Sequence, residues 1–93
     1  MSTQPVHRRL VQIVNREGLH ARPVMRFVEL ASRFDASVSV EKDGQTVDGR
    51  EPMELMLLEG VCGSALNITT RGPEAAAALE ALAELVARGF DEA

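Results

Sequence analysis

The alternation of hydrophobic and polar residues along the chain predicts four short strands. In residues 6–14, β-branched residues are frequent, and Val11 and Ile13 are separated by Gln12. The same two-residue period recurs in ASVSVEK (36–42), QTVD (45–48) and ALNITT (65–70). The Asp-Gly pair at 43–44 is a strong signal for a hairpin turn, so the second and third strands should be neighbours.

A period of three to four residues predicts three helices. In residues 21–33, one side carries Val24, Phe27, Val28 and Ala31. The segment EPMELMLLEG (51–60) has Glu51 as a possible N-cap and Pro52 at the first helical position, where proline is favoured. The alanine-rich segment 72–89 starts with a proline and a glutamate, and Gly89 should end its helix.

The resulting order of elements, β-α-β-β-α-β-α, predicts an α+β fold. Four amphipathic strands and three helices form one sheet with the helices on one face. The aliphatic side of each strand should point toward the helices, so the other face of the sheet should meet solvent. A chain of 93 residues is expected to form a single domain, residues 1–93, with one core.

Composition excludes several classes of protein. Aromatic residues make up only 3% of the chain, so the core should be aliphatic. No apolar run approaches the ~20 residues of a membrane span, and MSTQPVHRR at the start does not resemble a signal peptide. The one cysteine, Cys62, cannot form an internal disulfide or a cysteine-based metal cluster. We therefore expect a cytoplasmic protein without membrane insertion.

The charges are distributed unevenly. Residues 1–33 contain six arginines and two glutamates, whereas the remainder is strongly acidic and the net charge is −4. A protein of this kind should not bind nucleic acid in general. Its basic segment suits a protein partner with an acidic surface.

The stretch EGLHARPV (17–24) carries the candidate chemistry. Gly18 allows a sharp turn, and His20 falls at the N-cap of the first helix. The free N–H groups of Ala21 and Arg22, the helix dipole and the Arg22 guanidinium together favour a phosphoryl group. A neutral imidazole there would be a nucleophile. From the residues alone, His20 is either a phosphate acceptor or an ordinary loop residue, and His7 is taken as an ordinary strand residue.

GLHARP resembles the active-site signature of the HPr phosphocarrier family of the bacterial phosphotransferase system. The resemblance extends to the following helix, the Asp-Gly hairpin, the short second helix, TTRGP and the last helix. It implies an open-faced β-sandwich with a four-stranded antiparallel sheet. It also implies that His20 is phosphorylated through Nδ1, beside Arg22, by phosphorylated enzyme I and passes the phosphate to an EIIA-type domain. The protein would be a stoichiometric carrier rather than an enzyme, without a metal or organic cofactor.

The second helix has more hydrophobic residues than one buried side can use. Leu55 and Leu58 can point inward, which leaves Met53, Met56 and Leu57 on or near the other side, beside Pro52. Surplus exposed hydrophobic residues often mark an interaction surface. The family resemblance implies a docking face formed by the first two helices, to which Met25, Arg26 and Glu29 would belong.

One residue departs from the family pattern, and two segments indicate a branch of the family. Some members carry a serine at the start of the second helix that a kinase phosphorylates; the matching residue here is Glu51, which cannot be phosphorylated. Glu51 is either an ordinary acid at a helix start or a permanent mimic of the phosphoserine. ELMLLEG and GFDEA resemble the nitrogen-related NPr branch, and the sugar branch stays open.

Two other functions remain compatible with the residues themselves. One is a regulatory binding module of the same fold whose His20 is never phosphorylated. The other is a small ligand-binding α+β domain.

Overall fold

The computed structural model describes residues 4–92 and contains the elements in the predicted order. The strands are β1 (Val6–Gln12), β2 (Ser37–Lys42), β3 (Gln45–Asp48) and β4 (Ala65–Arg71). The helices are α1 (Ala21–Ala31), α2 (Pro52–Leu57) and α3 (Ala75–Ala87), and a short 3₁₀ helix, Gly89–Asp91, follows α3.

The largest differences from the predicted boundaries lie at the ends of helices. The third helix starts at Ala75, with Glu74 at its N-cap, so the proline and glutamate expected in its first turn precede it. The main chain at Gly72 and Glu74 is bonded instead to the carbonyls of Pro5 and Asp35. These long-range bonds hold the segment in a turn that local sequence does not reveal.

The four strands form one antiparallel sheet in the order β1-β4-β2-β3. The predicted hairpin is present, because β2 and β3 pair directly across the Asp-Gly turn. The helices cover one face of this sheet, which confirms the open-faced α+β sandwich.

The core lies between the sheet and the helices and is aliphatic, as predicted. Its sheet side includes Val38, Val40, Leu66 and Ile68, and its helix side includes Val24, Phe27, Leu79, Leu82 and Val86. The first strand follows the expected alternation. Val11 and Ile13 point toward the helices, whereas Leu10, on the opposite side, is 64% exposed. Because β1 is an edge strand, Val11 is only partly buried.

Candidate phosphate site at the start of the first helix

His20 occupies the N-cap of α1, as the sequence predicts. Its backbone is extended, with φ −96° and ψ −173°. The first main-chain bond of the helix runs from the Val24 N–H to the His20 carbonyl, at 3.1 Å. The N–H groups of Ala21 and Arg22 therefore precede the intrahelical series and are available to an anion.

A tight turn before the helix sets the position of His20. Gly18 has φ +67°, and a Cβ atom there would lie 2.2 Å from the Gly60 carbonyl oxygen. The N–H of the next residue, Leu19, donates to the same carbonyl at 2.7 Å. Only glycine combines this backbone conformation with such close contact. The segment after α2 therefore anchors the loop that carries the histidine.

The nearest charged partner of the imidazole is Glu92, at the end of the chain. His20 Nε2 lies 3.0 Å from Oε2 and 3.2 Å from Oε1 of this carboxylate. The His20 side chain is 40% exposed, whereas that of Glu92 is 15% exposed. One edge of the ring is thus held by protein while much of the ring meets solvent.

Asn15 connects the carboxylate to the loop before the helix. Its Nδ2 donates to the Gly18 carbonyl at 2.8 Å and to Glu92 Oε1 at 3.0 Å. The residue is buried. The opposite orientation of the amide would place its oxygen against two acceptors, so these contacts define which way it points. Asn15 therefore fixes the carboxylate that faces His20.

The chain reaches this position by reversing its direction after α3. Gly89, Phe90 and Asp91 have φ values of 68°, 58° and 61°. A non-glycine residue in this region costs roughly 1–2 kcal/mol. The fully buried Phe90 side chain offsets part of that cost, and Arg88 Nε donates to Asp91 Oδ1 at 2.9 Å. This reversal carries Glu92 back to the start of α1.

Sequence analysis did not identify Asn15 or Glu92 as site residues. Gly89 was foreseen as the end of a helix, and the acidic residues after it were the only further signal. The contact of Glu92 with His20 depends on left-handed conformations at two non-glycine residues, which local propensity disfavours.

The side chains around His20 line an open cavity of about 460 Å³ that carries both positive and negative charges. It is lined by Arg16, Glu17, His20, Arg22, Arg26, Asp91 and Glu92. Partial burial raises the pKa of Glu92. The hydrogen bonds from His20 and Asn15, together with the nearby charge of Arg22, lower the pKa by more than burial raises it, so the net shift is downward. Glu92 is therefore ionised at neutral pH, and it shares the cavity with Arg16, Arg22 and Arg26.

Similarity to known proteins shows which family the chain belongs to. The family described as "PTS HPr component phosphorylation site" matches residues 7–88. The phosphocarrier protein HPr of Treponema pallidum is 38% identical over 82 residues, covering 88% of this chain and 93% of the relative. The phosphocarrier protein NPr of Escherichia coli K12 is 36% identical over 83 residues, covering 88% and 92%. The chain belongs to the HPr family.

Solved structures agree with this assignment. The HPr of Bacillus anthracis superposes with a TM-score of 0.84 at 44% identity, covering 87% of this chain and 96% of that one. A Thermoanaerobacter tengcongensis HPr gives a TM-score of 0.90 at 33% identity, covering 94% and 98%. The chain is therefore a histidine phosphocarrier of the phosphotransferase system. HPr and NPr relatives are similarly identical to it, so the branch stays a prediction.

In this HPr-family chain, the predicted docking residues differ in exposure. Met53 is 73% exposed, Leu57 67% and Met25 47%. Pro52 is half-buried. Met56 is partly buried and packs against the core, so it lies at the edge of the outward side and is less exposed than predicted. A helix of only six residues leaves positions on its flank that contact both core and solvent.

The first-helix members of the predicted docking face have a neighbour that was not foreseen. Met25, Arg26 and Glu29 line a groove of about 460 Å³ whose other wall includes Leu85 and Arg88 at the end of α3. These residues thus border α3.

Three further features concern Glu51, metal binding and membrane spans. Glu51 lies at the N-cap of α2, exposed and without a side-chain capping bond. Within residues 4–92, no three His, Cys, Asp or Glu side chains are grouped in a way that could hold a metal ion. In the same residues, no helix is both long and apolar enough to cross a membrane.

Proposed function

We propose that His20 is the phosphorylated residue, that it accepts the phosphoryl group through Nδ1 from phosphorylated enzyme I, and that it passes the group to a histidine of an EIIA-type protein. The observation that carries this proposal is the position of His20. It is a part-exposed imidazole at the N-cap of α1, inside the segment that the family matches.

The surroundings of the ring support a phosphoryl group in three ways. The N–H groups of Ala21 and Arg22 precede the intrahelical bonds of α1. The exposed Arg22 guanidinium lines the same cavity and can form paired hydrogen bonds to phosphate oxygens. The dipole of an 11-residue helix adds partial positive charge at this end.

Transfer between two proteins needs an approach along the line of the breaking bond. The donor and acceptor imidazoles must meet across an interface from which water is excluded. In this proposal, the chain contributes position and charge stabilisation, and each carrier holds one phosphoryl group at a time. The exposed hydrophobic residues Met25, Met53 and Leu57 are proposed to form the docking contacts, with Pro52 and Met56 at their edge.

Labelling by enzyme I and phosphoenolpyruvate tests the proposal. The wild-type protein should gain one acid-labile phosphate, which should pass to an added EIIA-type protein. His20→Ala should gain none. His7→Ala is the matched control, because His7 lies exposed on β1, and it should be labelled normally. Acid-labile label that persists in His20→Ala, or a wild-type protein that is never labelled, would contradict the assignment.

A further inference from the structure

We propose that Glu92 is a positioning residue that fixes the ring tautomer of His20. It holds the proton on Nε2, so that the lone pair of Nδ1 faces the incoming phosphorus. This inference rests on the proposed phosphorylation of His20 and adds to it the group that selects the reactive nitrogen.

The contact itself defines the tautomer. An ionised carboxylate only accepts hydrogen bonds, so the ring nitrogen that faces it carries the hydrogen. His20 Nε2 lies within 3.2 Å of both Glu92 oxygens. A neutral imidazole has one N–H, and Nδ1 must then have the lone pair. Among residues 4–92, Nδ1 has no side-chain or backbone hydrogen-bond partner, so it is open to a reactant.

The carboxylate is held firmly enough to act in this way. Asn15 donates to the Oε1 atom at 3.0 Å and is itself tied to the Gly18 carbonyl. The buried Phe90 anchors the chain two residues before Glu92. Because Asn15 and Phe90 hold it in place, the part-buried Glu92 carboxylate orients the imidazole ring as well as its proton. An orienting carboxylate has the same arrangement in histidine-dependent acyl transfer.

The same contact serves the transfer step. The Nδ1 lone pair attacks phosphorus in a phosphohistidine donor, and the donor's P–N bond breaks with its electron pair returning to the donor nitrogen. The proton on Nε2 stays in place, so the phosphorylated ring of His20 gains a positive charge. Glu92 faces that charge directly, and its hydrogen bond becomes charge-assisted. The reverse steps return the ring to the neutral tautomer.

Glu92 lies outside residues 7–88, the segment that the family description matches. The contact therefore comes from the C-terminal segment and not from the segment that carries the family signature. An opposite effect has a physical basis as well: a carboxylate this close to the ring could repel the phosphoryl group. The two effects predict opposite changes when the carboxylate is removed.

The first experiment measures the tautomer without any phosphate donor. Ring ¹⁵N shifts of His20 are recorded at alkaline pH, where imidazole is neutral, for wild type, Glu92→Ala, Glu92→Gln and Glu80→Ala. The wild type should show the Nε2–H form. Glu92→Ala should show a measurable fraction of the Nδ1–H form. Glu92→Gln should retain the wild-type form, because the amide oxygen can accept the same hydrogen bond. An unchanged tautomer in Glu92→Ala would overturn the inference.

The second experiment measures transfer from phosphorylated enzyme I. Glu92→Ala should slow it by roughly tenfold to a hundredfold, the range found for groups that orient a metal-bound histidine, and Glu92→Gln should lie between it and wild type. Glu80→Ala is the control, because Glu80 pairs with Arg9 on the surface, away from His20. Faster transfer in Glu92→Ala would show repulsion instead and would also overturn the inference.

The two experiments separate this inference from the proposed function. If the wild type is not labelled, the proposed function fails, whereas the tautomer result stands. If labelling is normal but Glu92→Ala keeps tautomer and rate, this inference alone fails. A purely structural role would lower the melting temperature and leave both unchanged. Should Glu92→Ala not fold, Glu92→Gln decides: a reduced transfer rate supports the inference, and a wild-type tautomer with a wild-type rate contradicts it.

Discussion

The start of α1 and the outward side of α2 are built in opposite ways. At the start of α1, Asn15 and His20 are both joined by hydrogen bonds to Glu92, from the far end of the sequence. On α2, Met53 and Leu57 lie one helical turn apart and extend into solvent. The hydrogen bonds at the start of α1 hold specific atoms in place, whereas the exposed side chains of α2 provide apolar surface that is free to move.

This difference matches what the two regions are proposed to do. Phosphoryl transfer needs reacting atoms held in a defined geometry. Docking on more than one partner needs apolar surface that can adapt, and methionine provides it. Substitutions in the two regions should therefore separate transfer from binding.

The largest effect should come from reversing the inward and outward sides of α2. Leu55→Glu places a carboxylate at a position that is 2% exposed and should cost several kcal/mol, enough to unfold the protein. Met56→Glu should have an intermediate cost, because Met56 packs against the core from its edge. Met53→Glu should change stability by no more than about 0.5 kcal/mol.

Urea denaturation of these three variants measures the order directly. The wild-type protein is the reference, and equal slopes with denaturant would show that the same surface is exposed on unfolding. A Met53→Glu variant as unstable as Leu55→Glu would show that the outward side of α2 is misassigned.

The same two regions show which features the sequence could predict. The two-residue and four-residue periods located the four strands and the three α-helices, and the N-cap position of His20 followed from Gly18 and Pro23 near it. These are local signals. Met56 is less exposed than predicted because the short helix α2 has flank positions that periodicity cannot assign.

The missing parts of the phosphate site depend on contacts between distant residues. Glu92 meets His20 across 72 positions of sequence, through a reversal that contains left-handed Phe90 and Asp91. Nothing in the local sequence singles out Asn15, although it is buried against that segment. Tertiary packing of Phe90 overrides local preference here, so no periodicity could reveal the contact.

A second prediction concerns transfer at the start of α1. Arg22→Ala should slow phosphoryl transfer at saturating donor by roughly a hundredfold, in the range for loss of one group that stabilises developing charge. It should leave stability within about 0.5 kcal/mol, because Arg22 is exposed. Rapid-quench kinetics and thermal melting measure the two quantities.

Arg71→Ala is the matched control for this variant. Arg71 is exposed on β4 and lines the uncovered face of the sheet. Its removal should change neither rate nor stability appreciably. Wild-type transfer in Arg22→Ala would contradict the phosphate-binding role, and a large loss of stability would indicate a structural one.

A third, smaller effect is expected for docking. Met53→Glu should weaken binding to enzyme I by about tenfold, near the 1.4 kcal/mol that such a change in affinity represents, because a carboxylate loses water at an apolar contact without gaining a partner. Transfer at saturating enzyme I should be preserved, and so should the ring tautomer of His20.

Leu10→Glu is the control, since Leu10 is 64% exposed on β1 and belongs to neither region. Titration calorimetry gives the affinities. Wild-type affinity in Met53→Glu would place the docking surface elsewhere, for example along the groove between α1 and α3.

The smallest expected effect is a dependence of stability on pH at the start of α1. The pKa of Glu92 in the folded protein lies below its ordinary value of 4.5: burial raises it, and the hydrogen bonds from His20 and Asn15 outweigh that effect. The folded state therefore binds this proton less readily than the unfolded state. The stabilisation is fully present above pH 4.5 and is lost as the pH falls through the lowered pKa.

The melting temperature of wild type should exceed that of Glu92→Ala at neutral pH, and the difference should shrink below pH 4.5. Glu80→Ala, which removes an exposed carboxylate, should show no such convergence with wild type. Met53 and Leu57 have no titrating group, so a Met53→Ala variant should remain parallel to wild type. A difference between wild type and Glu92→Ala that persists undiminished in acid would mean that the ionised carboxylate does not hold the C-terminal segment against His20.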